Sequence, residues 1–321
     1  MTKKLLLPVA FLCFFSSLVY GQNEINLATP PRSAALFGEN LVSTALYERD
    51  MALSPDGWDI YYTTMIPYSN FQTIIHISKK DNSWSNPEVA SFSGKYSDLE
   101  PTFSPDGKKL FFSSNRPVAG DKIKDFDIWY VEKINGIWSE PKNIGSPINT
   151  LSDEFFPSIA ANGNLYFTAQ YKGGVGKEDI YISRWENGIY QPATVLDTMV
   201  NSPHFEFNAF VSPDEQFIIF SSQGRKDEKG RGDLYISVKD ENNQWKMARN
   251  LSLLNTKRLD YSPFVSFDKK ILFFSSEAHE MKNIFEKPVA YQDLRQIASQ
   301  TRNGTGNIYW IDFNQLLDYM K

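Results

Sequence analysis

The chain has 321 residues, one cysteine and a formal net charge of −5. That charge, spread without a clustered basic face, excludes a nucleic-acid footprint, and the length suffices for one domain with a sizeable core. Aromatic residues make up 15% of the chain and fall mostly in segments of strand character; such residues pack well on a pleated surface, so an all-β domain is expected.

Residues 1–21 read as a secretory leader. Lys3-Lys4 is basic, Leu5 to Val19 is apolar, and Tyr20-Gly21 precedes Gln22. The apolar run is too short to span a membrane and no stop-transfer pattern follows it. Cys13 lies inside it behind Phe11-Leu12, not behind the small residues that lipidation requires. The mature chain, 22–321, is therefore expected to be exported, periplasmic or extracellular, without disulfides and without a transmembrane segment.

From residue 54 onward one unit recurs five times. Its turns are Ser54-Pro55-Asp56-Gly57, Ser104-Pro105-Asp106-Gly107, the degenerate Ala160-Ala161-Asn162-Gly163, Ser212-Pro213-Asp214-Glu215 and Ser266-Phe267-Asp268-Lys269. Their starts (104−54, 160−104, 212−160, 266−212) are 50, 56, 52 and 54 residues apart. Repeats of about 40–50 residues built from short strands are the signature of propeller blades. In the second unit, Pro101 to Ser104 reads as the inner strand and Lys109 to Ser114 as the next. A loop over 115–126 leads to Asp127 to Val131, and Asn135-Gly136 makes a hairpin turn. Trp138-Ser139-Glu140-Pro141 then opens an outer strand; Trp84, Tyr190 and Trp245 take the same slot.

The fifth unit lacks an outer strand. Its third strand is displaced to 307–312 behind an insertion at about 278–306, in which Tyr291 to Ala298 predicts a short helix that packs across the propeller face. Residues 32–37 are left to pair antiparallel with 307–312 and so close a single five-bladed ring, removing both free edges.

The run from Ser97 through Glu100-Pro101-Thr102-Phe103-Ser104-Pro105-Asp106-Gly107 to Ser113-Ser114-Asn115-Arg116, followed by Asp127-Ile128-Trp129-Tyr130, resembles the WD-repeat-like module of TolB-type β-propellers. The resemblance covers almost the whole mature chain. It implies the fold and a choice among periplasmic protein-binding propellers, envelope proteins and non-catalytic domains of peptidases. Typical TolB-like chains have six blades and an extra N-terminal domain, which this sequence does not show. The leader and the Trp-Ser-Glu-Pro segment also resemble exported proteins of Bacteroidetes-type bacteria.

Six residues before each turn stands one acid: Glu48, Asp98, Glu154, Glu206 and Asp260. Fivefold symmetry places them around one mouth of the channel. A ring of carboxylates suits a hard cation such as calcium; the competing reading is that every blade needs its acid to accept backbone N–H groups. Asp127, Asp179 and Asp233 form a second repeated set with the same structural explanation. The variable loops between second and third strands nominate a ligand-binding face at Tyr68, Phe71, Phe126, Tyr171, Arg225 and Arg231, for an envelope protein or a glycan. The expected function is a monomeric, non-catalytic binding module without a required cofactor. The alternative is a glycan-active hydrolase or lyase using Glu154, Glu206 or His204 at the channel mouth. No Gly-x-Ser-x-Gly elbow is present.

Overall fold

The structure, a computed structural model, describes residues 25–66, 69–81, 83–279, 281 and 284–321. The expected leader and Tyr68 lie outside them. The described residues form five antiparallel blades around a central axis. Blade 1 starts with Tyr47–Leu53, Asp59–Met65 and Gln72–Lys80, and blade 2 with Asp98–Phe103, Lys109–Ser114 and Asp127–Ile134. Blade 3 has Glu154–Ile159, Leu165–Ala169 and Asp179–Ser183, and blade 4 has Phe205–Val211, Phe217–Gln223 and Asp233–Val238. Blade 5 has Asp260–Val265, Ile271–Ser276 and Asn307–Asp312.

The turn chemistry acts as read. Ser104 Oγ donates to Asp106 Oδ1 (2.6 Å), which also accepts the Lys108 N–H (3.1 Å), while Gly107 takes φ +69°. In blades 4 and 5 the same left-handed corner falls to Glu215 (φ +54°) and Lys269 (φ +56°), at roughly 1–2 kcal/mol each. Second strands such as Leu165–Ala169 and Ile271–Ser276 are buried along their whole length because a blade lies on each face. They therefore read as continuous apolar or small-residue runs, not as an alternation.

The outer strand differs from expectation. In blade 2, Ile137–Trp138 pairs with Lys133 and Ile134, and a separate piece, Lys142–Asn143, pairs with Trp129 and Tyr130. Blade 1 is split likewise at Ser83–Trp84 and Glu88–Val89. The breaks fall at Pro141 and Pro87, which have no N–H to give a ladder. The aromatic slot stitches blades together: Trp138 Nε1 donates to the Tyr61 hydroxyl of blade 1 (2.7 Å).

The ring closes as predicted. Ala35 pairs with Trp310 and Leu36 with Tyr309, antiparallel, and N–H donations from Phe37 to the Ile308 carbonyl (2.8 Å) and from Asp312 to the Pro31 carbonyl (2.7 Å) extend the seam. Phe37 is fully buried and meets Phe273 (5.0 Å, 79°) and Trp310 (5.4 Å, 67°) edge to face. The helix forms at Tyr291–Ala298, but none of its residues is buried. It does not pack down on the propeller face, because its apolar positions, Leu294, Ile297 and Ala298, form too narrow a stripe to hold it there. Among the described residues no helix is long and apolar enough to cross a membrane.

If the closing strand locks the ring, Phe37→Ala should cost about 3–5 kcal/mol in urea unfolding, the usual range for emptying a buried aromatic site. A loss below about 1 kcal/mol would mean that the seam adds little.

Candidate functional site

Every innermost strand carries a β-bulge at the same place. The ladder register shifts between Arg49 and Ala52, Leu99 and Thr102, Phe155 and Ser158, Phe207 and Phe210, and Tyr261 and Phe264. The bulged residues Asp50, Glu100, Phe156, Asn208 and Ser262 all take φ between +49° and +61°. A bulge re-aims side chains, and here it brings two consecutive residues of each blade to the axis. Arg49, Leu99, Phe155, Phe207 and Tyr261 line a funnel of about 310 Å³ at one mouth. Tyr47, Gln72, Phe126, Thr168, Glu178 and Leu259 complete its wall.

The bulged residues make its floor. Glu100 Oε1 accepts from Arg49 Nη2 (3.0 Å) and Asn208 Nδ2 (3.1 Å), and its Oε2 accepts from Ser113 Oγ (3.1 Å) and the Phe156 N–H (2.7 Å). Arg49 Nε lies 2.6 Å from Asp50 Oδ2, and the guanidinium stands 5.0 Å from the Tyr261 ring centre. Asp50 in turn accepts from Ser262 Oγ. One network thus ties all five blades. Burial, then the Asp50 charge, pushes the Glu100 carboxyl up, with Arg49 opposing. Beneath it lies a gap of about 10 Å³, lined in part by Pro101, Pro157 and Pro263. A cavity needs roughly 10–15 Å³ to hold one water, so this gap takes at most one below the network that closes the axis.

The five repeated acids are not at this mouth. Side chains alternate along a strand, so the residues flanking each acid reach the funnel while the acid itself is buried within its blade. Glu48 accepts from Thr44 and Asn307, Asp98 from Ser93, Ser114 and Arg116, and Glu154 from Thr150 and Tyr171. Glu206 accepts from Ser202, Ser222 and Arg225, and Asp260 from Thr256 and Ser276. Each acid holds the connection that enters its blade. They do not converge, and among the described residues no group of three or more His, Cys, Asp or Glu side chains could hold a metal ion.

Tyr171 and Arg225 belong to this scaffold. Tyr171 donates to Glu154 (2.7 Å) and the Ile148 carbonyl (3.1 Å), and Arg225 to Glu206 (3.0 Å) and the Val200 carbonyl. Arg116 does the same for Asp98 and the Phe92 carbonyl. Arg231 and Phe71 are exposed on the rim, and Arg231 lies 3.7 Å from Glu277. His204 is also exposed, its ring set against Gly224, where a Cβ would approach Cγ to 3.0 Å. Of the described residues nominated from sequence, Phe126 alone lines the funnel, 5.1 Å from the Phe155 ring.

Sequence reasoning missed three polar groups of the wall. Thr168 Oγ1 is fully buried and has no hydrogen-bond partner, nor has the buried Gln72 Oε1. Glu178 is half-buried between the funnel and a polar annex of about 230 Å³ that it shares with Ser152, Asp153 and Gln170. Burial, then the charge of Asp153, pushes its carboxyl up to about 7. The signal was variation: the position at the start of the third strand in blade 1 and just before it in the other blades reads Gln72, Phe126, Glu178, Gly232 and Gly306. The two glycines are needed where they stand, since a Cβ would come 2.6 Å from Leu259 at Gly232 and 2.6 Å from the Tyr47 ring at Gly306.

No protein-family model matches the chain, and no curated protein matches it in sequence. Among solved structures it is similar to a protein titled "Glycoside hydrolase" (8% identity, TM-score 0.55, 88% of this chain and 91% of that one). It is also similar to a thermostable family-43 glycoside hydrolase (13%, TM-score 0.50, 84% and 91%). A third is TolB from Acinetobacter baumannii (15%, TM-score 0.45, 83% of this chain), of which the chain spans about half the length, 54%. At such identities the likeness concerns the fold alone.

The raised carboxyls set the pH response of stability. Burial lifts Glu154 to about 7 and Asp260 to about 6, and Glu178 also stands near 7. From about pH 4.5 to 7 the folded state then holds more protons than the unfolded chain, so this stability is complete below the window and is lost as pH rises through it. Tm should be higher at about pH 5 than at about pH 8; a Tm that rises across that interval would contradict these burials.

Proposed function

We propose that the protein is an exported, non-catalytic propeller that binds the end of a glycan chain in the funnel. One observation carries this reading: among the described residues Thr168 Oγ1 and Gln72 Oε1 have no hydrogen-bond partner, and the Glu178 carboxyl, acted on by burial and charge alone, stands with them in a wall otherwise made largely of rings and aliphatic side chains. A sugar ring offers the matching surfaces, a C–H face for Phe126, Phe155 and Phe207 and hydroxyl edges for the polar atoms. An unmet buried polar group costs about 1–3 kcal/mol, which a hydroxylated ligand recovers. Export rests on the composition of residues 1–21.

The non-catalytic part rests on the carboxylates. Glycoside hydrolysis by the usual route needs two acids free to act. Both oxygens of Glu100 are held by two donors each, which leaves Glu178 as the funnel carboxyl with free lone pairs. The hydrolase reading keeps one point in its favour, since an acid near 7 suits proton donation at neutral pH. It would use Glu178 in place of the buried Glu154 and Glu206.

The test is calorimetric titration with a panel of neutral, acidic and amino oligosaccharides, followed by product analysis. At least one should bind and remain intact, and Phe155→Ala should weaken it about tenfold or more, equivalent to about 1.4 kcal/mol, with the fold unchanged by circular dichroism. No binding across the panel, or equal binding by the variant, would sink the glycan reading. Cleavage lost in Glu178→Gln would replace it with the hydrolase.

A further inference from the structure

Blade 3 is electrostatically unlike its neighbours. In blade 2 the repeated acids are matched by cations: Asp98 lies 2.6 Å from Arg116 and Asp127 lies 2.8 Å from Lys124. In blade 4 Arg225 matches Glu206 at 3.0 Å. In blade 3 the arginine's place is taken by Tyr171, which gives Glu154 a neutral hydroxyl, and Asp179 is held only by backbone, the Gly176 N–H among it. Asp153 accepts the Phe126 N–H. Among the described residues none of Asp153, Glu154, Glu178 and Asp179 has an ion-pair partner, and the Glu178 side chain has no hydrogen bond at all.

The surrounding cations do not correct this. Arg49, across the funnel, is already shared between Asp50 and Glu100. Lys177, next to Glu178 in the chain, holds its ammonium 4.9 Å from the Phe205 ring. The charges that bear on Glu178 are those of Asp153 and Glu206 from neighbouring elements and of Asp179 beside it in the chain, all negative. A carboxylate so placed, in a funnel that the Phe126 and Phe155 rings and the buried, unpartnered Thr168 hydroxyl also line, has the makings of a cation cage.

Resting on the glycan reading above, we propose that the funnel selects a glycan end bearing a free ammonium group, an amino sugar in preference to its N-acetylated or hydroxyl counterpart, and that Glu178 is the residue that selects it. The ammonium supplies the positive charge that blade 3 lacks, donates to the free carboxylate oxygens and meets the aromatic faces. An acetamide at the same carbon brings no charge, and a hydroxyl brings a donor without one.

Three tetrasaccharides of one backbone and linkage, differing at C2 as ammonium, acetamide or hydroxyl, separate these cases by calorimetry on the mature chain. The amino form should bind about tenfold or more tightly than the others, and Glu178→Gln, nearly isosteric, should abolish that preference and leave the three tetramers with affinities within about twofold of one another. At about pH 6 both the amine and most of the Glu178 carboxyl hold protons, so pairing them expels one. The binding heat should then depend on the ionisation enthalpy of the buffer in wild type and not in Glu178→Gln. Equal affinity for the three tetramers, or a preference that survives in Glu178→Gln, overturns this inference and leaves the glycan reading standing. No binding by any tetramer at millimolar concentration overturns both.

Discussion

Five wedge-like blades arranged in a ring leave a hole, and the structure depends on how that hole is filled. Here a guanidinium and two carboxylates fill it. Arg49 of blade 1 is clamped by its neighbour Asp50 and by Glu100 of blade 2, and Glu100 reaches on to the blade 3 backbone and to Asn208 of blade 4. Ser262 of blade 5 donates to Asp50 and completes the circuit. Such a buried cluster is not by itself a source of stability, since apolar residues of like volume often do as well. Its consequence is specificity of arrangement: each blade contributes a different group, so the blades cannot exchange places around the axis. The five left-handed bulge residues, including the bulky Phe156, are strained conformations, and they are held because the network and the paired strands fix them from both sides.

Closure of the axis determines what the protein can do. With no passage through the ring, the funnel is a dead-ended site whose depth is set by Glu100 and Arg49. The repeated acids, which look like a site in the sequence, are the fasteners of the connections. Arg116, Tyr171 and Arg225 are three chemical versions of one lock on those fasteners. The third repeat departs from the others at several levels. Its turn keeps the glycine but lacks the Ser, Pro and Asp of the motif, and small Ala160, Ala161 and Gly163 border a groove of about 890 Å³ between blades 2 and 3. Its lock is a tyrosine, and its loop ends in the unpaired Glu178. The blade with the weakest repeat signature is thus the one that brings an unpaired carboxyl to the funnel.

Most of the fold was legible in the sequence because its causes are local and repeated. The turn residues demand their geometry, the aromatic slots demand a neighbouring blade, and the orphan third strand at 307–312 demands a partner that only the N-terminal segment could give. The site was less legible. Fivefold recurrence drew the eye to Glu48, Asp98, Glu154, Glu206 and Asp260, yet strand alternation puts the funnel wall one residue away, at positions whose identity changes from blade to blade. The bulge then adds a second channel-facing residue that a plain period of two does not predict. Arg225 and Tyr171 looked like loop residues free to bind because their partners are distant in sequence or are backbone carbonyls. The helix at Tyr291–Ala298 was readable from its spacing, its exposed position was not.

The most direct test of this account is a double-mutant cycle between Arg49 and Glu100, with Arg49→Met, Glu100→Gln and the pair measured by urea unfolding. A channel closed by one shared network predicts that each single change costs about 3–5 kcal/mol and that the double change costs less than their sum by about 2 kcal/mol, within the range for residues in one network. Additivity to within about 0.5 kcal/mol would show that the two side chains stabilise the ring independently, and would contradict the view that a single charge network closes the axis and sets the floor of the site.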